Sequence, residues 1–254
     1  MKTLGIIPAR KGSLRFPDKH HALLLGKPIF SYTIDAALQA NLIDRLVISS
    51  DDLDLLPLAE EHGIEFIHRP PKLATATSAL DDAIRHVCRF LSERDGFDPD
   101  VIITAQGNVP VRQEGQIDAV IRRFDELPDA SAICTAQEVR LRPEWAKLIT
   151  DEKTGACGPY LTGYTGYRAQ DYPNIYLVDG AIYGVRASTL WEQEGKTAFH
   201  SWFGDNLHLV VQDHEMFSLE VDYPDQTDLA EFYLLRKDKA NRNTESSAHA
   251  PGGG

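Results

Sequence analysis

The stretch that decides the fold is Thr3-Leu4-Gly5-Ile6-Ile7-Pro8-Ala9-Arg10-Lys11-Gly12-Ser13-Leu14-Arg15-Phe16-Pro17-Asp18-Lys19. Leu4–Ile7 is a short apolar run that reads as a buried strand. It runs straight into a loop with two arginines, two lysines, a glycine and a serine. In α/β sheets, ligands bind beyond the carboxyl ends of the strands, which is where this loop falls. The loop is cationic although the 254-residue chain has 26 Lys+Arg against 38 Asp+Glu, a formal net charge of -12. A local positive loop on an acidic protein calls for an anionic client. A polyphosphate fits: backbone N–H groups near Gly12 can wrap phosphate oxygens while Arg and Lys neutralise charge. Ala9, Arg10, Gly12, Ser13, Arg15 and Lys19 are the first candidate binding residues, with Arg10 and Lys19 as the catalytic cations. A solvated basic turn is the plainer alternative.

Outward from this stretch the chain alternates strand and helix. Strands are expected at Arg45–Ser49, Glu65–His68, Val101–Thr104 and Ala130–Thr135. Helices are expected at Pro28–Gln39, with proline in the first turn, at Leu53–His62, at Ser78–Glu93 and at Gln113–Leu127. This succession predicts an α/β fold with a mostly parallel, doubly wound sheet covered on both faces. Arg10, Asp51 and Gln106 each follow a predicted strand, so all three should line one crevice. Residues 139–177 break the pattern, being rich in Gly, Tyr and Pro without a long helical period. They read as an inserted lid or dimerisation segment between core parts 1–138 and 178–237. Amphipathic aromatics without a core of their own, Tyr160, Tyr164, Tyr167, Tyr172 and Tyr176, point to a homodimer interface. Strands are expected again at Gly180–Val185, Leu209–Val211 and Phe217–Val221, then a helix from Gln226 to about Lys237. The polar tail 238–254 should be disordered.

Composition narrows the function. The acidic balance argues against general nucleic-acid binding. No apolar run is long enough to span a bilayer, and no secretion signal is expected at the N-terminus, which suggests a cytoplasmic protein. Cys88, Cys134 and Cys157 are far apart, without metal-ligand spacing, and read as reduced thiols. Gly195-Lys196-Thr197 imitates the end of a phosphate-binding P-loop, but Leu190 stands where glycine is needed. His20, His21, His214 and Glu215 form no zinc spacing; His20-His21 borders the basic loop and could touch substrate, but reads first as a surface pair.

Three further constellations carry chemistry. Asp51-Asp52 at a strand end could bind a ribose or a nucleotide-bound cation, or cap the next helix. Gln106, Asn108 and Arg112, around Gly107, suit hydrogen bonds to a base or sugar. Glu220 and Asp222 alternate onto one face of a late strand. Two such acids are costly to bury unless a cation compensates them, and oxygen-ligated Mg²⁺ beside phosphates is the natural candidate.

Taken in order, several segments resemble the sugar-activating cytidylyltransferases, in particular the acylneuraminate (CMP-sialic acid synthetase) family. They are Ile7–Lys19, Gly26-Lys27-Pro28, Val47–Asp52, Arg69–Ala74, Gln106–Arg112, Gly180–Tyr183 and Glu220–Asp225. The resemblance runs to about residue 237. It implies transfer of CMP from CTP to an acidic keto-sugar with release of pyrophosphate, Mg²⁺ as cofactor, and a protruding dimerisation segment. By position, Arg10, Ser13 and Lys19 match the CTP-phosphate loop and Gln106 a sugar-binding glutamine. Asp222 and Glu220 match the metal-binding acids, and Lys147 a lysine near the sugar. Gly107-Asn108-Val109-Pro110 departs from the sialic acid pattern toward that of the 3-deoxy-manno-octulosonate enzymes. Arg168–Asp179 lacks the expected basic pair, and Asp179 replaces the usual asparagine. An octulosonate or phosphonate acceptor, a glycosyltransferase using Asp51-Asp52, and an inactive nucleotide-binding protein are the alternatives. The sequence names no general base.

Overall fold

A computed structural model describes residues 1–139, 141–164, 166, 168–213 and 218–248, and their side chains except at 169 and 240–248. In chain order the elements are β1 (Thr3–Ala9), β2 (Leu23–Leu24), β3 (Lys27–Pro28), α1 (Ile29–Leu38), β4 (Arg45–Ser50), α2 (Leu56–Glu61), β5 (Glu65–His68), α3 (Leu80–Asp95), β6 (Val101–Ala105), α4 (Gln116–Glu126) and β7 (Ala132–Glu138). They continue with β8 (Lys147–Asp151), β9 (Ala156–Pro159), β10 (Tyr176–Arg186), α5 (Ala187–Glu192), β11 (Leu207–Val211) and α6 (Gln226–Ala248). Seven strands form one sheet in the order β11-β7-β10-β6-β1-β4-β5. All neighbours are parallel except β10, which is antiparallel to β6 and β7.

β1 is buried along its whole length, and its alternating side chains feed both layers. Ile7 and Ala9 join Phe30 and Ile34 of α1 and Val120 and Phe124 of α4 in one cluster. Leu4 and Ile6 join Ile84, Val87 and Leu91 of α3 on the other face. Each fully buried Leu or Ile contributes about 1.5–3 kcal/mol of hydrophobic stabilisation, so this double cover holds β1 firmly in the interior of the sheet. β4 lies on one side of β1 and β6 on the other. The chain order therefore reverses there, and a crevice opens beyond the strand ends at Ala9, Ser50 and Ala105.

Four expectations change. The helix expected over Leu53–His62 is a 3-10 turn at Leu53–Leu55 followed by α2, whose first turn holds Pro57. The strand expected over Phe217–Val221 is a single bridge from Leu219 to Val111, and Phe217 lies outside the described residues. Both edges of β6 are already taken by β1 and β10, so Leu219 and Val221 bond instead to the loop carbonyls of Val111 and Asn108. β10 begins at Tyr176, not Gly180: beyond a register shift between Val178 and Tyr183, its ladder with β7 resumes through Tyr176 and Glu138. Finally, α6 continues through Ala248 where disorder was expected from Asp238. Extending an established helix costs far less than starting one. Residues 249–254 lie outside the described residues, as do His214, Glu215 and Tyr167.

Candidate active site

The cationic loop leaves the end of β1 and turns at Gly12, whose φ of 78° suits glycine. Its positive groups diverge. Arg10 Nη1 donates to the Thr75 carbonyl at 2.7 Å, reaching across to the segment after β5. Arg15 Nη2 and Lys19 Nζ meet the two carboxylate oxygens of Asp222 at 2.6 and 2.7 Å. Lys11 turns away, to Asp54 at 2.8 Å and Asp52 at 3.2 Å.

The facing wall comes from the loop after β6 and the segment before α6. Gly107 is obligatory there, because a Cβ would lie 2.6 Å from the Phe30 ring and 3.0 Å from the Pro8 carbonyl oxygen. The tight turn delivers Asn108, whose Nδ2 donates to Glu220 Oε1 at 3.1 Å and to Asp222 Oδ1 at 3.1 Å. One amide thus bridges two carboxylates from a segment more than a hundred residues away. The Glu220 carboxyl is held above its ordinary range, first by desolvation and then by the Asp222 charge, against the bond from Asn108. Two oxygen donors so arranged suit a hard divalent cation. Among the described residues no group of three or more His, Cys, Asp or Glu could hold a metal. Phosphate oxygens or water would have to complete the shell, as is usual for Mg²⁺.

Linkage gives Glu220 a testable sign. Its folded pKa is raised, so ionisation costs stability above that value, and the cost vanishes below the unfolded value of about 4.3. Glu220→Gln keeps an acceptor for Asn108 and removes the charge. It is expected to melt higher than the parent protein at about pH 8, with the gap closing as pH falls toward about 4.3. Melting curves at several pH values check this; a gap that widens on acidification would contradict it.

Ala9, Arg10, Ser13, Arg15, Lys19, Gln106, Asn108, Glu220 and Asp222 line one cavity of about 520 Å³. Four proposed binding residues lie outside its lining. Gly12 shapes the loop. Asp51 accepts the Lys11 N–H at 2.9 Å. Arg112 is buried, with its guanidinium donating to Thr33 Oγ1 and the carbonyls of Val109, Gln106 and Ala181, so it fastens the loop from beneath. Lys147 stands on exposed β8, paired with β9 and away from the cleft of its own chain.

His20 and Arg69 also line the cavity, although neither is among the candidate binding residues. His20 is not half of a surface pair: it is buried, edge-on to Phe30 at 5.6 Å, and pushed down to about 3, first by burial and then by Lys19. It meets the cleft as a neutral imidazole. Arg69, directly after β5, is buried against the Ser49 carbonyl at 2.7 Å, and burial lowers it to about 10. Its signal was positional, a cation at a strand end before Pro70-Pro71.

The chain matches the cytidylyltransferase family over residues 4–198. It belongs to that family. Among curated relatives, this family member is 29% identical over 227 residues to N-acylneuraminate cytidylyltransferase of Streptococcus agalactiae serotype V, covering 89% of this chain and 51% of the relative. It thus spans about half the length of the streptococcal relatives it matches. CMP-N,N'-diacetyllegionaminic acid synthase of Legionella pneumophila is 28% identical over 227 residues, covering 88% of this chain and 92% of the relative. 3-Deoxy-manno-octulosonate cytidylyltransferase of Chlamydia abortus is 24% identical over 253 residues, covering 92% and 94%. A solved CMP:2-keto-3-deoxy-manno-octonic acid synthetase complexed with CTP superposes with a TM-score of 0.71 at 16% identity, covering 93% of this chain and all of that one. That likeness speaks to the fold, which the cytidylyltransferase-family chain shares. No helix among the described residues is long and apolar enough to cross a membrane.

Proposed function

We propose that this chain transfers CMP from CTP to an acidic keto-sugar, releasing pyrophosphate. The observation that carries the reading is the cleft beyond β1 and β6, where Arg10, Arg15 and Lys19 face Asn108, Glu220 and Asp222 in a member of the cytidylyltransferase family. In the reaction, the anomeric hydroxyl oxygen bonds to the α-phosphorus, the bond to the β-phosphate bridging oxygen breaks, and the hydroxyl proton passes to water. Positioning and charge neutralisation supply most of the catalysis in such transfers. Arg10, Arg15 and Lys19 would bind the triphosphate. Gln106 and Asn108 would orient the acceptor and the acids. Glu220 and Asp222 would hold Mg²⁺, which when bound supplies Lewis-acid stabilisation of phosphate charge.

The acceptor is taken to be a sialic-acid-like nonulosonate. A 3-deoxy-manno-octulosonate acceptor is the second reading, favoured by the Gln106-Gly107-Asn108 turn that Phe30 forces. The test is pyrophosphate release with each nucleoside triphosphate, Mg²⁺ and a panel of keto-acid sugars. Turnover with CTP and one such acceptor is expected. CTP binding without turnover on any acceptor would sink the reading.

Homodimerisation belongs to the same proposal. The β8–β9 hairpin leaves Leu148 and Ile149 exposed, and Trp145, Tyr160 and Tyr164 beside it are exposed too. An apolar group of this kind fits a second copy better than water. The full chain is expected to be dimeric at micromolar concentration by light scattering. Replacing residues 141–173 with a short Gly/Ser linker should yield a monomer. A monomeric parent protein, or a dimeric variant, would place the reading in error.

A further inference from the structure

Asp51 and Asp52 close β4 without lining the cleft, yet both reach its cationic loop. Asp51 Oδ1 accepts the backbone N–H of Lys11 at 2.9 Å. Asp52 Oδ1 accepts Lys11 Nζ at 3.2 Å, and Asp52 Oδ2 takes His21 Nε2 at 2.7 Å. Lys11 begins the loop and His21 ends it. Between them lie Ser13, Arg15 and Lys19. We propose that Asp52, assisted by Asp51, is a positioning residue that braces both ends of this loop in the shape that receives the nucleotide triphosphate. The inference rests on the functional reading above.

Three observations carry it. Helix capping accounts for only part of the Asp52 side chain. Oδ1 accepts the Asp54 N–H at 3.2 Å, as a cap does, but Oδ2 is spent on His21, thirty-one positions earlier in the chain. The carboxylate is also nearly sealed, with 3% of its side chain exposed, so it is bonded to Lys11 and His21 rather than to water. Lastly, the loop has little to hold it from within. Phe16 N–H reaches Ser13 Oγ at 3.4 Å, and the closing turn is set by His21 N–H on the Asp18 carbonyl at 2.9 Å. Asp18 itself adopts φ 52°, a left-handed conformation that a non-glycine residue keeps only where its surroundings impose it. Pinned ends supply that imposition together with the ties of Arg15 and Lys19 to Asp222. A loop already ordered spares the ligand the entropy of ordering it, which appears as affinity for CTP rather than as chemistry.

The test uses the full chain and three substitutions. Asp52→Asn keeps an oxygen for the Asp54 cap but removes the charge that holds Lys11. His21→Ala cuts the second tether at a part-exposed position, so it remains informative if Asp52→Asn folds poorly. His21→Gln offers an amide N–H in place of Nε2. Two readouts are taken: the rate of tryptic cleavage after Arg15, and the CTP dissociation constant by calorimetry. For Asp52→Asn and His21→Ala, cleavage after Arg15 is expected to accelerate and CTP affinity to fall about tenfold, with KM for CTP rising more than kcat falls. His21→Gln should restore both. Parent-like cleavage and CTP affinity in both variants would overturn the brace. So would a loss that follows melting temperature alone and that His21→Gln does not recover. If the parent protein binds no CTP, the functional reading fails, while the proteolysis arm still decides whether the loop is braced.

Discussion

Asp222→Asn is expected to lower kcat/KM for CTP by about 10²–10³-fold while moving the melting temperature by only a few degrees. The two halves of this expectation have different causes. In the fold, Asp222 bonds the open Arg15 and the mostly buried Lys19, and accepts from Asn108 Nδ2 as well. An exposed ion pair such as that with Arg15 contributes about 0–1 kcal/mol. Asparagine keeps one acceptor oxygen, and the backbone N–H of Asp222 still donates to Gln226 Oε1 at 2.6 Å, so the start of α6 is undisturbed. On the proposed reading, the same carboxylate would hold a hard cation in place of its lysine and arginine when the triphosphate is bound. A neutral amide cannot supply the charge such a cation takes from oxygen ligands. Steady-state rates over a Mg²⁺ series check this. Near-normal activity at limiting Mg²⁺ would remove Asp222 from metal binding, and a collapse of melting temperature equal to the loss of activity would make it structural.

The parts of this molecule that could be read from sequence are those encoded locally. Thr3–Ala9 shows its burial and its loop within one window, as do the amphipathic stretches of α3 and α4. The succession of elements therefore exposed the α/β class and the crevice. Strand direction left no local trace. β10 lies antiparallel between β6 and β7 because of what its neighbours offer, not because of its own residues. The same holds in the cleft. Lys19 and Asp222, 203 positions apart, were each nominated from their own surroundings, but that they touch is a product of the fold. Arg112 shows the converse error. A polar loop ending in arginine looks like a ligand site, yet burial turns that guanidinium into an internal clip for four oxygen acceptors. His20 was misjudged because a histidine pair beside charged residues looks solvated, and nothing local reveals that Phe30 will cover one ring and leave its neighbour bonded to Asp52.

Arg10→Ala should cost somewhat less, about 10–100-fold in kcat/KM for CTP, since a charge-assisted hydrogen bond contributes about 1.5–3 kcal/mol and each 1.4 kcal/mol is a factor of ten. Arg10 follows β1, an interior strand, directly, so its backbone is fixed by the sheet even where the loop beyond it is not. Its Nη1 bond to the Thr75 carbonyl gives it a second task, holding the segment after β5 against the cleft. The two tasks separate by substitution. Arg10→Lys keeps a charge near the phosphates but gives up the planar fork that can serve a carbonyl and a phosphate together. If phosphate charge dominates, Arg10→Lys recovers most of the loss. If fastening Thr75 dominates, lysine performs no better than alanine, and Thr75 mobility, read by hydrogen exchange, rises equally in both. Unchanged kcat/KM for CTP in Arg10→Ala would exclude Arg10 from the site. The cleft would then keep Lys19 and Arg15 as its phosphate cations, both of which are tied to Asp222 before any nucleotide arrives. Among the described residues Arg10 forms no ion pair with a carboxylate, so it can engage phosphate without first breaking one, and its loss is expected to register in affinity as well as in rate.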